Sequence, residues 1–245
     1  MNKEEWKNII NSNISKSGFH ITVVSGKQVP RFAYTIGITE KFNFELVFAG
    51  GILYLKDDLV KIFHPIVEKV NSTNGGFFET IDLKELGTFS LVPVDDSWSK
   101  LLMLGVYDIY NIDKINAFQI VPDEAHFTLD VPDMTKTFSH SNTPVWKYLN
   151  SDWDLEIPES SQATTDLDFL KGKPITEIIR WEEDFWEMFH SDGREIPKEQ
   201  RRVVGISTML AIDHKILDAL KLPLKKGLYR DKNETEWTFW NVNTD

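Results

Sequence analysis

Two short runs carry the residue types best suited to chemistry. In Gly18 to Ser25 (GFHITVVS), His20 and Thr22 alternate with Phe19, Ile21 and Val23. In Arg31 to Ile38 (RFAYTIGI), Arg31, Ala33, Thr35 and Gly37 alternate with Phe32, Tyr34 and Ile36. Alternation puts the two sets on opposite faces of a strand. If the two strands pair closely, His20 comes near Thr35 or Arg31, and a pocket surrounded by His20, Arg31, Tyr34 and Thr35 would accept an anionic or carbonyl-bearing ligand. Gly50-Gly51 ends the next apolar run ahead of a helical pattern, so its backbone amides would suit an anion such as a flavin phosphate. The plainer alternative is that His20 and Tyr34 are partly buried side chains bonded to backbone, and that Gly50-Gly51 is a strand-terminating turn.

A second constellation lies at Arg180 to His190 (RWEEDFWEMFH), the most unusual composition in the chain. Trp181, Glu182, Glu183, Asp184, Trp186 and Glu187 would present aromatic anchors beside carboxylates, a surface suited to a partner rich in Lys or Arg. Read structurally, the same segment is a hairpin with its tryptophans inward and its carboxylates solvated.

Other chemistries find no support. There is no cysteine, which removes disulfides, thiolate nucleophiles and sulfur-built zinc sites. The six histidines show neither H-x-x-H nor H-E-x-x-H spacing, so no metal site is expected. No G-x-S-x-G elbow and no phosphate-binding loop occur, and the pairs Asp57-Asp58 and Asp95-Asp96 are adjacent, so their carboxylates point apart on a strand or cap a helix. No resident cofactor is expected. These absences favour a binding protein over an enzyme.

The elements that must position these residues follow from hydrophobic period. The chain has 245 residues, 41% hydrophobic and 27% charged, enough for one large domain or two ordinary ones. Lys3 to Asn13 reads as a short amphipathic helix, and the runs at 18–25, 31–38 and 44–49 as an antiparallel meander joined by hairpin-length connections. Leu55 to Val70 takes helical spacing. Phe89 to Val94 and Ala117 to Val121 read as strands, whereas Leu101 to Tyr110 is too uniformly apolar to decide. The acidic stretch 150–162 suits a linker. Beyond it, Ile175 to Arg180 and Phe185 to His190 read as strands around an acidic turn, and Val203 to Leu220 as a helix. The expectation is an α+β protein of two small modules, 1–149 and 163–245, the first a meander or partly closed barrel packed with helices.

Charge sharpens the division. The net charge is -11, with 14 basic and 18 acidic residues in 1–150 against 13 and 20 in 151–245. An acidic chain is a poor ligand for nucleic acid or an anionic membrane, and a good one for a basic protein. The polar start, MNKEEWKNIINSNI, lacks the apolar core of a signal peptide, and no apolar run reaches the ~20 residues of a membrane helix, so a cytoplasmic protein is expected.

Gly18-Phe19-His20, the run Phe32-Ala33-Tyr34-Thr35-Ile36-Gly37-Ile38, Phe44-Glu45-Leu46-Val47-Phe48, and Ala117-Phe118-Gln119-Ile120-Val121-Pro122-Asp123 together resemble the bacterial domain-of-unknown-function family 4262 over about the first 140 residues. That family pairs a G-[FW]-H strand with F-A-Y-T-[IV]-G-[IL] and commonly shows L-Q-[IL]-V-W-P-D. Here Pro122 follows Val121 directly, so the family's Trp is missing, as is the Trp that usually follows its Phe-Pro near position 127, and neither residue's role carries over. Gln200 to Ser207, with Asp213, Gly227, Arg230 and Trp237, is similar to a module found behind other bacterial domains of unknown function. The resemblance implies a bacterial cytosolic protein of immunity or antitoxin-like character that occludes a basic toxin domain. A flavin- or small-anion-binding enzyme with a barrel-like first domain is the alternative.

Overall fold

The computed structural model describes residues 2–76, 78–234 and 236–241. The chain begins with α1 (Lys3–Ser17), started by a capping box in which Asn2 and Glu5 exchange hydrogen bonds, and ended by Gly18 in the left-handed conformation at φ 81°. There follow β1 (His20–Val24), β2 (Phe32–Ile36), α2 (Thr39–Phe42), β3 (Glu45–Ala49) and α3 (Lys56–Ser72). Then come β4 (Ile81–Asp82), β5 (Thr88–Pro93), α4 (Asp96–Leu102), α5 (Leu104–Tyr110) and β6 (Ala117–Pro122). The uniformly apolar stretch 101–110 is thus helical.

These strands form one sheet in the order β1-β2-β3-β6-β5-β4. The first three make the expected antiparallel meander, but β3 then pairs parallel with β6. The partly closed barrel is not found. A parallel neighbour requires a long crossover, here the whole chain from Gly50 to Asn116, and β4, at the far edge, has two residues and cannot close onto β1. The sheet is covered on both faces. The stripe Leu59, Ile62, Phe63, Ile66, Val67 and Val70 of α3 packs with Ala33, Leu46, Phe48 and Ile120 in the main core. Burying each such aliphatic or aromatic side chain stabilises by about 1.5–3 kcal/mol. On the other face the Gly105 amide of α5 donates to the Tyr34 hydroxyl, where a Cβ on residue 105 would also crowd Trp6 and Ile36.

The second unit comprises Thr143–Asp245 together with Gly26–Pro30 and Thr128–Asp130. Its elements are β7 (Gln162–Asp166), α6 (Leu167–Leu170), β8 (Glu177–Glu182), β9 (Phe185–Phe189), β10 (Arg201–Gly205), α7 (Ile206–Ile212), a 3-10 segment at His214–Lys221, β11 (Lys226–Tyr229) and β12 (Thr238–Asn241). They form a second sheet in the order β10-β7-β9-β8-β11-β12, again with one parallel pair, β7 with β9. The helix expected from Val203 starts only at Ile206. Val203 and Val204 are β-branched and pair with Thr164 and Ala163, and the helical stripe begins after Gly205. Residues 150–162 fold with this unit, where Ser161 is buried and its carbonyl, like that of Glu159, accepts from the Gln28 side chain. Ala163, Ile178, Trp186, Met188, Val204 and Leu228 are buried, as are Met209 of α7 and Ile216, Ala219 and Leu220 of the 3-10 segment.

One buried charge in the first unit sets a measurable property. Glu45 is fully buried at the start of β3. Its carboxylate accepts the Thr35 hydroxyl at 2.6 Å and the amides of Gly37 and Thr39 at 2.8 and 3.1 Å, while Thr35 in turn accepts the Leu46 amide. Burial pushes its pKa up to about 7, against the opposing effect of those donors. A carboxyl with a raised folded pKa contributes stability that is complete below its unfolded value of 4.5 and is lost as pH rises through about 7. The expected size is about 3 kcal/mol across that window. In Glu45→Gln the amide group can donate to the Thr35 oxygen and still accept the backbone amides. Urea unfolding of this variant at pH 5 and pH 8 should show that share of the pH dependence gone; an unaltered slope would mean that Glu45 does not titrate in this window.

Candidate functional site

A concavity lies on the face of the second sheet opposite its helices. Register builds it. Trp240, Gly227, Ile179 and Glu187 stand in one lateral row across β12, β11, β8 and β9, and Tyr229, Glu177 and Phe189 in the next. Between Arg180 and Glu182 the β8–β9 ladder shifts by one residue, leaving Trp181 as the extra residue of a bulge. Bulges re-aim side chains. Here the Trp181 indole N–H reaches the Glu187 carboxylate at 2.8 Å. The resulting cavity, of about 390 Å³, has Ile179, Trp181 and Glu187 among its lining residues and Trp240 at its β12 side.

Its opposite wall is the turn at Gly193–Glu195, held by Arg201 of β10. The Arg201 guanidinium donates to the carbonyls of Gly193 and Ile196 and lies 5.5 Å from the centre of the Phe189 ring. The Gly193 amide donates to Glu177 at 2.6 Å. Glu177 is half-buried, and burial raises its pKa from the ordinary carboxylate value; the Gly193 amide opposes the rise and the nearby Asp192 adds to it. Arg194, at the mouth, is clamped by Asp192 through bonds of 3.0 and 2.6 Å. Two glycines permit the close approaches. A Cβ at 193 would lie 2.5 Å from the Phe189 ring, and one at 227 would overlap the Trp240 indole.

Of the acidic-aromatic segment, this site uses Trp181 and Glu187. Trp186 is a correction: it is fully buried on the opposite face, donating to the Ala219 carbonyl, with the Arg180 guanidinium over its ring at 4.8 Å. Alternation requires this once Glu187 faces outward. Glu182 and Glu183 are exposed at the hairpin end, and Asp184 accepts the Ser160 hydroxyl. Glu177, Phe189, Arg201 and Trp240 were not signalled by any local motif, because they meet only through strand pairing. The carboxylate at the start of β8 and the Trp of the final strand were the available hints.

The residues of the first hairpin do not converge. His20 stands opposite Ile36, not Thr35, and its ring nitrogen lies 2.9 Å from the Asn13 amide; burial lowers its pKa. Tyr34 takes the Gly105 amide and Thr35 turns to Glu45. Arg31 and Gly50 do meet, but through backbone: the Gly50 amide donates to the Arg31 carbonyl, and the Arg31 side chain donates to the Tyr54 carbonyl. Gly50 and Gly51 both hold φ near +70°, at 73° and 71°, as a tight turn after β3 demands.

One further cluster has metal-ligand chemistry. Asp166, Asp168 and His190 place oxygen and nitrogen atoms within 4.8 Å of one another. Each is already engaged. His190 Nδ1 lies 2.7 Å from Asp166 and Nε2 3.1 Å from Asp168, Asp166 also accepts the amides of Phe169 and His190, and Asp168 accepts Lys173. With its two ring nitrogens turned to different carboxylates, the cluster is a structural brace.

These features define a two-unit α+β protein whose first unit is a helix-covered mixed sheet and whose second carries an aromatic and acidic cavity. Residues 13–127 match the family described as Domain of unknown function (DUF4262). No curated protein and no solved structure matches the chain. Among the described residues, no helix is long and apolar enough to cross a membrane. The cavity lies wholly beyond the family match.

The wall at Gly193 gives a direct check on this geometry. Gly193→Ala must push its Cβ against the Phe189 ring, an overpacking that costs about 1–3 kcal/mol. Denaturant unfolding should show the midpoint fall by the corresponding amount, and an unchanged midpoint would mean that the turn does not press on Phe189 as described.

Proposed function

We propose that the protein is a non-enzymatic binding module that engages a basic partner protein through the open face of its second sheet, in the manner of an immunity or antitoxin-like protein that occludes a toxin. The observation that carries this reading is the cavity lined by Trp181, Glu187, Glu177 and Trp240, with the exposed carboxylates of Glu182 and Glu183 at the end of the same hairpin. Aromatic rings in a recess supply affinity, and surrounding carboxylates steer a cationic partner. The uneven charge supports it, since the last 95 residues hold -7 of the net -11. The flavin-binding alternative loses its premise, because the first sheet is open and its strands do not enclose a barrel interior.

Occlusion asks no bond to be made or broken by this chain. The partner's basic surface would be covered and its own site blocked. The test begins with co-purification of the tagged full chain from its source cells and identification of the retained protein by mass spectrometry. Association is then measured for the wild type and for the double variant Glu182→Lys, Glu183→Lys at low and high salt. Charge reversal should slow association roughly tenfold at low salt with little change in dissociation. An association rate indifferent to both charge and salt would overturn the reading.

A further inference from the structure

We infer that the cavity of the second unit is a receptor for the guanidinium group of an arginine side chain. The inference deepens the binding reading above and rests on it for the source of the arginine, a basic polypeptide. Three features of the cavity select this chemistry.

The first is the state of its hydrogen-bonding groups. Among the described residues, the Glu187 carboxylate accepts one hydrogen bond, from the Trp181 indole, and the Glu177 carboxylate accepts one, from the Gly193 amide. A carboxylate has about four acceptor positions, so both retain most of their capacity. The cations beside them are committed. Arg201 spends Nε and Nη2 on the carbonyls of Gly193 and Ile196, and Arg194 is forked onto Asp192. The two carboxylates thus keep open acceptor positions for a cation, and the buried Trp240 indole N–H, which has no partner among the described residues, keeps a donor for a carbonyl of the backbone flanking it. A carboxylate or phosphate ligand would meet two carboxylates, and an apolar ligand would strip them of water with nothing in exchange.

The second feature is the pair of indoles. Trp181 and Trp240 both line the recess, and an aromatic face attracts a cation placed over it. The third is shape and size. About 390 Å³ is near the lower end of the range for ligand sites, which suits one long side chain with its flanking backbone. Between the two charge types available in proteins, the planar guanidinium fits better than an ammonium. It stacks flat on an indole while its edge N–H groups reach separate carboxylates, whereas the ammonium is a compact, strongly hydrated point charge.

The probe is Nα-acetyl-arginine methylamide, titrated into the isotopically labelled full chain while the indole N–H signals are followed. Trp181→Phe and Trp240→Phe assign the two relevant signals. Both should shift and saturate with a dissociation constant in the millimolar range, as expected for a single side chain. The matching lysine compound should bind more weakly. The citrulline compound, which keeps the shape and loses the charge, should leave the signals unmoved. Glu187→Gln and Glu177→Gln should each weaken arginine binding about tenfold, with the remaining spectrum showing that the fold is retained.

Citrulline binding as well as arginine, or an arginine titration that leaves both indoles unmoved, would overturn the assignment. The two readings fail separately. If a captured partner shows charge-dependent association while the arginine compound does not touch Trp181 and Trp240, the pocket assignment falls alone. If the compound binds as described while association with the partner ignores Glu182 and Glu183, the pocket stands and the wider reading falls.

Discussion

The buried carboxylate of Asp166 fixes the second unit. It sits where β7 ends and α6 begins, accepts the Phe169 amide as a helix cap, and accepts both the backbone amide and the ring of His190, the residue that follows β9. Two strands that run parallel, with no hairpin between them, are thereby pinned at their common end. Register follows from that pin. Because strand side chains alternate, a slip of one residue would exchange the face that carries Glu187 and Phe189 with the one that carries Trp186 and Met188. The outward pair that lines the cavity is therefore decided by a side chain that does not touch it.

The same dependence explains how so polar a recess is tolerated. Carboxylates near aromatic surface lose solvation and must be compensated. Glu187 is compensated by Trp181, which the bulge in β8 aims at it, and Glu177 by the amide of the turn that Arg201 holds in place. Each bond answers part of the demand and leaves acceptor positions over. The Glu177 and Glu187 carboxylates therefore keep acceptor positions open toward the cavity.

What the sequence made legible divides along the range of the interactions. The meander at 18–49 and the helix after Leu55 follow from local period, and the structure places them within a few residues of expectation. Val203 to Gly205 reads as helix in the sequence because Val203 and Val204 precede a helical stripe without a break in hydrophobicity, and only pairing with β7 distinguishes them. The cavity was half visible. Trp181 and Glu187 stood out by composition, and Trp186 with them, although alternation sends it inward. Glu177, Arg201 and Trp240 lie up to 63 positions apart, brought together by five strand pairings that no local pattern encodes. Glu45 had a signal that was available: a lone carboxylate within an apolar strand (FELVFA) must be either exposed or paired, and a strand buried on both faces leaves only pairing.

Coverage of the two sheets then argues for where recognition resides. The first sheet has α3 on one face and α5 meeting Tyr34 on the other, and the buried carboxyl group of Glu45 is enclosed by Thr35 and the 37–39 backbone. The second sheet has helical cover on one face, while its other leaves Val203 and Tyr229 more than half exposed, at 52% and 51%. Exposed apolar positions beside a polar recess are the surface pattern of an interaction site. The family match ends at Phe127, and the residues that shape the recess begin at Glu177. The recess and its side chains thus lie in the segment that follows the family match.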